Sequence, residues 1–359
     1  MKFKKIKVVF QMDIAEIVAA SVKMKASDIH LSSNNRPACR INGQVNFFNL
    51  PVLTEEDVKG FIQKCLSKGK YQKFLECGDM DASAEMSGYG RFRVNAFRQA
   101  HGYTLVLRVI PAAAPELTGL RLPEAVRKIL TYKDGLVLLT GPTGCGKSTT
   151  LAAIINEINK TRCDHIITIE DPIEYIHTPK RCIIDQREIG ADSVSYACAL
   201  RAALREDPDI ILVGEMRDLE SISIAITAAE TGHLVLSTLH TSGAANTIDR
   251  LIDVFPATQQ QQVRTQLSMV LRCVLSQHLL VTADGKGRVA AFEIMFVNSA
   301  ISNLIREGKT ANITQMIQTG SAEGMMTLEN SLRDLVKSGL VRRGTAISYL
   351  PNGSGARFR

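Results

Sequence analysis

The first third of this chain combines helical and strand-like spacings of apolar and polar positions. Over residues 13–25 the apolar positions recur at the spacing of an amphipathic helix. Residues 28–49 and 80–110 instead alternate apolar and polar side chains, as half-buried strands do. A lysine-rich stretch near 55–75 between them predicts further helix. We therefore expect a small α+β domain in this part of the chain.

The pattern changes after the prolines Pro111 and Pro115. From Glu124 onward apolar runs alternate with helical patterns, which predicts a parallel sheet with helices. From about Ser299 the strand-like runs cease and short helices are expected. The predicted division is an N-terminal domain at 1–112, a linker at 113–123, and a second domain at 124–359 whose helical region begins near 299.

Composition narrows the class of protein. The chain has 359 residues, enough for about two domains. No apolar run approaches the ~18 residues of a membrane span, and no signal-peptide core follows the N-terminal lysines, so we expect a cytoplasmic protein without membrane insertion. The eight cysteines include no C-x-x-C pair, which argues against a zinc clamp. The net charge of +7 is dispersed apart from residues 2–7, and aromatics are few, so no nucleic-acid partner is expected.

The residues 141–148, Gly-Pro-Thr-Gly-Cys-Gly-Lys-Ser, fit the phosphate-binding pattern G-x-x-x-x-G-K-[ST]. An apolar run at 136–139 precedes them and a helical pattern follows from Ser148 to Ile158. In such a loop the glycines allow backbone N–H groups and the helix N-terminus to face the phosphates of a nucleotide. Lys147 is expected to reach the β- and γ-phosphates. The predicted nucleotide-binding residues are Gly141, Pro142, Thr143, Gly144, Cys145, Gly146, Lys147, Ser148 and Thr149.

Three further apolar runs end in residues that can handle metal, water or phosphate. The runs lie at 166–169, 210–213 and 234–236. The first is followed by Glu170, the second by Gly214 and Glu215, and the third leads to His240. Open parallel sheets bind ligands beyond the carboxyl ends of their strands, so these residues are expected to meet the phosphate-binding loop at one edge.

The chemistry of each residue suggests a role. Glu215 ends its strand as a Walker-B acid does, and together with the Ser148 hydroxyl it is the predicted Mg²⁺ ligand. Glu170 is the candidate for orienting or deprotonating the attacking water. The sequence permits these two roles to be exchanged. His233 and His240 flank one strand, and a neutral imidazole can donate a hydrogen bond to a γ-phosphate and accept another.

Six motifs along nearly the whole chain resemble those of one family, the hexameric type II/IV secretion ATPases. Within it they are similar to the type IV pilus retraction motors, the PilT-type proteins of twitching motility. The motifs lie at 26–31 (Ala-Ser-Asp-Ile-His-Leu), 90–95 (Gly-Arg-Phe-Arg-Val-Asn), 141–148, 168–175 (Thr-Ile-Glu-Asp-Pro-Ile-Glu-Tyr), 207–218 and 231–241.

The resemblance implies a PAS-like α+β domain followed by a RecA-like P-loop ATPase core with C-terminal helices. It implies a homo-hexamer that uses ATP and Mg²⁺ to retract a pilus, working with an inner-membrane platform protein at the cytoplasmic face of the membrane. Glu170 would be the catalytic glutamate and Glu215 the Walker-B acid. Arg93 and Arg108 would act on the nucleotide as arginine fingers.

Several alternatives remain open. An accessory retraction paralogue or an assembly or secretion motor would share this core, although assembly relatives usually carry a further N-terminal domain and a tetracysteine insertion that this chain lacks. A P-loop module that binds ATP without hydrolysing it is opposed by the intact Glu170 and Glu215. A RecA-type nucleic-acid translocase is opposed by the few aromatics. Ser302 replaces the arginine of the retraction pattern Ala-Ile-Arg-Asn-Leu-Ile-Arg-Glu, a departure in the C-terminal helices that leaves the motifs of the ATPase core untouched.

Overall fold

The computed structural model describes residues 13–41, 43–110, 113–216 and 218–350. The basic stretch at 2–7, the start of the predicted linker at 111–112, Arg217 of the predicted Walker-B motif and the C-terminal 351–359 lie outside these residues. The chain divides into two compact units, Met1–Ala112 with Glu174–Ile176, and Ala113–Ile173 with His177–Arg359.

The first unit contains three helices and a six-stranded antiparallel sheet among its described residues. Its elements are α1 (Ile14–Lys23), β1 (Asp28–Ser32), β2 (Ala38–Ile41), β3 (Gln44–Phe47), α2 (Glu55–Cys65), α3 (Lys68–Cys77), β4 (Asp79–Met86), β5 (Gly90–Gln99) and β6 (Gly102–Ile110). The strand order is β3-β2-β1-β6-β5-β4. Asp13 caps the N-terminus of helix α1, and its carboxylate accepts a hydrogen bond from the Ala15 N–H.

The alternation seen in the sequence separates the two faces of this sheet. Ile29 and Leu107, which pair across β1 and β6, are fully buried and join the core that includes the helix residues Ile17 and Phe61. Next to them on the opposite face lie the charged side chains of Asp28 and Arg108, which also pair across β1 and β6, as period-two alternation allows. The predicted strands and helices of this part are therefore confirmed.

The second unit continues with two 3-10 helices, Leu117–Leu120 and Glu124–Thr131, before its sheet begins. Its strands are β7 (Gly135–Thr140), β8 (His165–Glu170), β9 (Ile183–Glu188), β10 (Ile210–Val213), β11 (Leu234–Leu239), β12 (Leu271–Val281) and β13 (Arg288–Phe296). Its helices are α4 (Lys147–Thr161), α5 (Tyr196–Ala203), α6 (Leu219–Glu230), α7 (Ala244–Asp253), α8 (Ala257–Val270), α9 (Ser299–Arg306), α10 (Ile313–Thr319), α11 (Leu328–Lys337) and α12 (Arg343–Ile347).

The four apolar runs of the sequence form neighbouring parallel strands in the order β7-β11-β10-β8. Their apolar residues are buried on both faces of the sheet, which explains why they are continuous apolar runs. Because neighbouring strands are parallel, their carboxyl ends lie along one edge. The predicted convergence of the strand ends is confirmed.

The seven-stranded sheet departs from a purely parallel one at β13, which pairs antiparallel with β12. Only residues 282–287 connect the two strands, and so short a turn cannot make the crossover that a parallel pair needs. The mixed α/β class is confirmed. Short helices occupy 299–347, as the loss of strand-like runs predicted. No described helix combines the length and the apolar composition of a membrane span.

Candidate active site

The phosphate-binding loop joins β7 to α4 and owes its shape to glycine. Gly141, Gly144 and Gly146 have φ values of 140°, 77° and 91°, a region that other residues rarely adopt. Helix α4 begins at Lys147 directly after the loop, so its first N–H groups have no partner within the helix. The strand, loop and helix that the motif requires are all present, and the N-terminus of α4 offers partial positive charge to an anion.

Lys147 lies folded back over the loop. Its Nζ donates hydrogen bonds to the carbonyl oxygens of Gly141 at 2.8 Å and Pro142 at 3.2 Å, and the residue is buried. The ammonium group is therefore held at the loop by carbonyl dipoles. An arriving phosphate would attract the same charge more strongly, because a phosphate carries a full negative charge.

A short chain of contacts joins the strand ends next to the loop. The His240 Nε2 atom lies 3.3 Å from Glu215 Oε1, and His240 Nδ1 lies 3.3 Å from the hydroxyl of Thr143. Glu215 follows β10, His240 follows β11, and Thr143 belongs to the phosphate-binding loop. The imidazole thus lies between the predicted Walker-B acid and the loop, with one ring nitrogen facing each of them.

Glu170 lies at the end of β8, where the side chains of Thr168 and Gln186 hold its carboxylate. Its Oε1 accepts hydrogen bonds from the Thr168 hydroxyl at 2.7 Å and from the Gln186 amide at 3.3 Å. Gln186 lies on β9, a strand with mixed polar and apolar positions that the apolar runs of the sequence did not reveal. These donors fix the orientation of the carboxylate, as a base that acts on water requires.

His233 does not join this group. It precedes β11, whose six residues separate it from the loop edge by about 20 Å. There its Nδ1 lies 2.9 Å from the carbonyl oxygen of Ala228, and its own carbonyl accepts from the Gly135 N–H. Residues at the two ends of one strand lie at opposite edges of the sheet, so His233 is distant from the loop of its own chain, and its role as a γ-phosphate sensor stays a prediction.

Three further residues of the motif, Cys145, Ser148 and Thr149, are compatible with nucleotide binding. Cys145 is buried, and burial raises the pKa of its thiol, so the group stays protonated and packs as a small apolar residue. Ser148 is the second residue of α4, where its hydroxyl is next to the phosphate-facing N–H groups. Thr149 follows it in the same turn.

The candidate ligands for Mg²⁺ are all oxygen atoms, which this hard cation prefers. Among the described residues, no group of three or more His, Cys, Asp and Glu side chains could hold a metal ion by itself. Mg²⁺ is usually bound through one or two protein oxygens together with nucleotide phosphates and water. Glu215 and Ser148 fit that pattern, because both lie at the loop edge of the sheet.

In the first unit, four residues on neighbouring strands form a charged row across the face of the sheet that is turned away from the apolar core. Arg93 pairs with Arg108 across β5 and β6, Arg108 pairs with Asp28 of β1, and Asp28 pairs with Arg40 of β2. Arg108 Nε donates to Asp28 Oδ1 at 2.9 Å, and Arg40 Nε lies 3.9 Å from the other carboxylate oxygen. Burial would raise the pKa of Asp28, but the hydrogen bonds from Arg108 and Ser27 outweigh it, and the pKa is lowered.

Both predicted finger arginines therefore lie on one face of one sheet. Arg93 has a weaker anchor, with Nε 4.0 Å from Asp81 Oδ1. Two guanidinium groups directly opposite each other repel, and Asp28 compensates only part of that charge. Within the row three arginines accompany one carboxylate, and Asp81 of β4 lies beside Arg93.

Gln277, like Gln186, is a residue of the site that was not predicted. Gln277 of β12 is buried, and its side-chain amide contacts both the phosphate-binding loop and α4. Nothing local in the sequence marks it, since it follows an apolar run about 130 residues beyond the loop.

Fold and site together define a P-loop nucleotide-binding protein with two strand-end carboxylates. A model of the family described as "Type II/IV secretion system protein" matches residues 5–343. The chain therefore belongs to the type II/IV secretion ATPase family.

Three relatives place the chain within the family. It is 50% identical over 335 residues to the "Type IV pilus retractation ATPase PilT" of Pseudomonas aeruginosa, an alignment covering 93% of this chain and 97% of that protein. It is 48% identical to a "Twitching motility protein" of Neisseria gonorrhoeae, covering 90% and 86%. The crystal structure of "the Pilus Retraction Motor PilT and Bound ADP" superposes with a TM-score of 0.89 and 46% identity, covering 96% and 98%.

These relatives confirm the motif-based identification of a retraction-type ATPase in this family. They also confirm that the protein is an ATPase that binds an adenine nucleotide. The roles of the individual site residues stay predictions.

Proposed function

We propose that this chain is a Mg²⁺-dependent ATPase that retracts a type IV pilus, working as a homo-hexamer at the cytoplasmic face of the membrane with an inner-membrane platform protein. The observation that carries the proposal is the 50% identity to a pilus retraction ATPase over nearly the full length of both proteins. The N-terminal unit is proposed to be PAS-like, the core RecA-like, and the two units to correspond to the domains divided near residues 113–123.

The proposed mechanism uses the edge formed by β7, β11, β10 and β8. The loop N–H groups and Lys147 bind the phosphates, and Glu215 with Ser148 would hold Mg²⁺. Bound Mg²⁺ would neutralise charge on the β- and γ-phosphates. Glu170 takes a proton from the attacking water or orients it, and His240 donates a hydrogen bond to the transferring phosphoryl group. What supports these roles is the position of Glu170, Glu215 and His240 at the ends of neighbouring parallel strands, on the edge where the phosphate-binding loop follows β7.

Arg93 and Arg108 are proposed to act as arginine fingers in the assembled ring. An arginine that approaches the transferring phosphoryl group stabilises its developing charge. Support comes from the charged row, in which Asp28 holds Arg108 at a fixed orientation while most of its side chain stays exposed.

Arg108→Ala is expected to lower the turnover number by about 100-fold or more while ATP affinity changes far less, because a finger acts mainly on the transition state. Steady-state phosphate release and equilibrium nucleotide binding measure the two effects. Arg98→Ala is the matched control, since Arg98 lies on the neighbouring strand β5 and donates to the Leu75 carbonyl. Equal losses of binding and turnover in Arg108→Ala would contradict the finger role.

The cellular role is tested by deleting the gene in the organism that carries it and imaging labelled pili. Abundant pili that never shorten, rescued by the wild type and not by Glu170→Gln, are the expected result. A bald surface would indicate an assembly motor instead. Unchanged pilus dynamics would contradict a pilus role and favour another P-loop function.

A second candidate, an accessory retraction paralogue, is favoured by Ser302. Its hydroxyl donates to the Ser268 carbonyl at 2.5 Å and so joins α9 to α8, in place of the long cation of the retraction pattern. In the same deletion experiment an accessory role would appear as slowed or weakened retraction, with some pili still shortening.

A further inference from the structure

We infer that Gln277 is a positioning residue of the nucleotide site, which orients a peptide group of the phosphate-binding loop toward the phosphates. The inference rests on the proposed function of that loop. It starts from the length of β12. This strand has 11 residues, and its Ser276 pairs with Thr140, the last residue of β7. Gln277 therefore extends past the end of β7 and lies beside the loop.

The side chain of Gln277 makes two hydrogen bonds with opposite ends of its amide. Nε2 donates to the carbonyl oxygen of Cys145 at 2.7 Å, and Oε1 accepts from the hydroxyl of Thr150 at 2.8 Å. The carbonyl can only accept, so the orientation of the amide follows from this pair of partners. Because Gln277 is buried, losing either bond would leave a polar group without water to replace it.

The bond to Cys145 controls the direction of the next N–H group. In a trans peptide the carbonyl of one residue and the N–H of the next point to opposite sides. With the Cys145 carbonyl directed at Gln277, the N–H of Gly146 is directed away from β12, toward the interior of the loop. That N–H is among the donors that such loops offer to phosphate.

The main chain of β12 is equally close to the loop. A Cβ atom at Gly141 would lie 2.2 Å from the Gln277 carbonyl oxygen, and one at Gly146 would lie 3.0 Å from its Nε2. Gly141 is thus required by this neighbour as well as by its φ angle, and a side chain at Gly146 would crowd the Gln277 amide. The loop is fitted against Gln277 and cannot shift toward it.

The test compares Gln277→Glu with Gln277→Met in the full-length protein. The introduced carboxylate matches the amide in shape but presents an acceptor to the Cys145 carbonyl. We expect ADP affinity to fall, and the KM for ATP to rise, by about tenfold or more near pH 8. The turnover number should change less, because the loop N–H groups bind ground state and transition state alike.

The pH dependence separates positioning from packing. Burial beside a carbonyl raises the pKa of a carboxyl group, and its protonated form regains an O–H donor. Gln277→Glu should therefore recover affinity near pH 6 relative to wild type, whereas Gln277→Met should stay weak at both pH values. Thr150→Val, which keeps the Nε2 bond, should lose less affinity than either.

Wild-type affinity in Gln277→Glu near pH 8, or equal losses in both variants without recovery near pH 6, would overturn the inference. If Gln277→Glu does not fold, as judged by thermal unfolding, Gln277→Met carries the test: unchanged ADP affinity in that variant overturns the inference as well. A wild-type protein that bound no nucleotide would overturn the proposed function together with the inference.

Discussion

Replacing Glu170 with glutamine is expected to lower ATP turnover by about 10²–10⁴-fold while nucleotide affinity stays close to that of the wild type. Glutamine keeps the size of the side chain, and its amide oxygen can still accept from Thr168 and Gln186. What it loses is the negative charge that accepts a proton from water. The loop and Lys147, which provide phosphate binding, are unchanged.

The measurement is phosphate release at saturating Mg-ATP together with equilibrium binding of a fluorescent ADP analogue. Glu206→Gln is the matched control, because Glu206 undergoes the same chemical change and its carboxylate pairs with Arg187 at 3.1 Å. Turnover in Glu170→Gln within a few-fold of that control would remove Glu170 as the general base and favour an ATP-binding module in which hydrolysis depends on another group.

The same assay distinguishes Glu170 from Glu215, whose roles the sequence allows to be exchanged. A metal ligand and a base differ in their response to the metal concentration. Glu215→Gln should raise the Mg²⁺ concentration that gives half-maximal activity, whereas Glu170→Gln should lower the maximum without shifting that concentration. The opposite pattern would exchange the two assignments.

The sequence predicted the strand ends well because they depend on local signals. Each apolar run is buried on both faces, so it stands out as a short continuous block, and the polar residue after it marks the end of the strand. The parallel connections then place Glu170, Glu215 and the phosphate-binding loop at one edge. Chain order and the topology of α/β sheets were sufficient for this part of the site.

Other parts of the site depend on long-range packing. Gln277 reaches the loop only because β12 extends past β7, and the pairing of these distant strands is not encoded near either one. Gln186 lies on β9, whose polar side chains interrupt the apolar pattern by which a strand is recognised in the sequence. His233 shows that closeness along the chain does not give closeness in space, because residues that flank a strand lie at opposite edges of the sheet.

The charged row of the first unit could be predicted from the sequence only in part. Period-two alternation predicted that Arg93 and Arg108 lie on strands, yet alternation cannot give the register between strands. The observed register places Arg108 opposite both Arg93 and Asp28, and so explains how one arginine is held while its neighbour is less restrained. A register shifted by one residue would have turned these charges toward the apolar core.

Replacing Lys147 with alanine is expected to have the largest effect on nucleotide binding, with affinity reduced by about 100-fold or more and no measurable turnover. The ammonium group is the one charged side chain of the phosphate-binding motif, and its bonds to phosphate oxygens are charge-assisted. Its removal also takes away the donor that the Gly141 and Pro142 carbonyls share. The loop would then present two carbonyl dipoles to an incoming anion without a compensating cation.

Lys160→Ala provides the matched control, because Lys160 lies on the same helix and pairs with Glu116 and Glu157. Lys160 lies in the last turn of α4, at the opposite end of the helix from the loop, so this variant should bind nucleotide as the wild type does. Titration with a fluorescent ATP analogue measures affinity, and thermal unfolding without nucleotide establishes that both variants fold. A folded Lys147→Ala protein with the affinity of the control would mean that the loop binds phosphate through its backbone N–H groups alone, and that the lysine serves only to hold the carbonyls of Gly141 and Pro142.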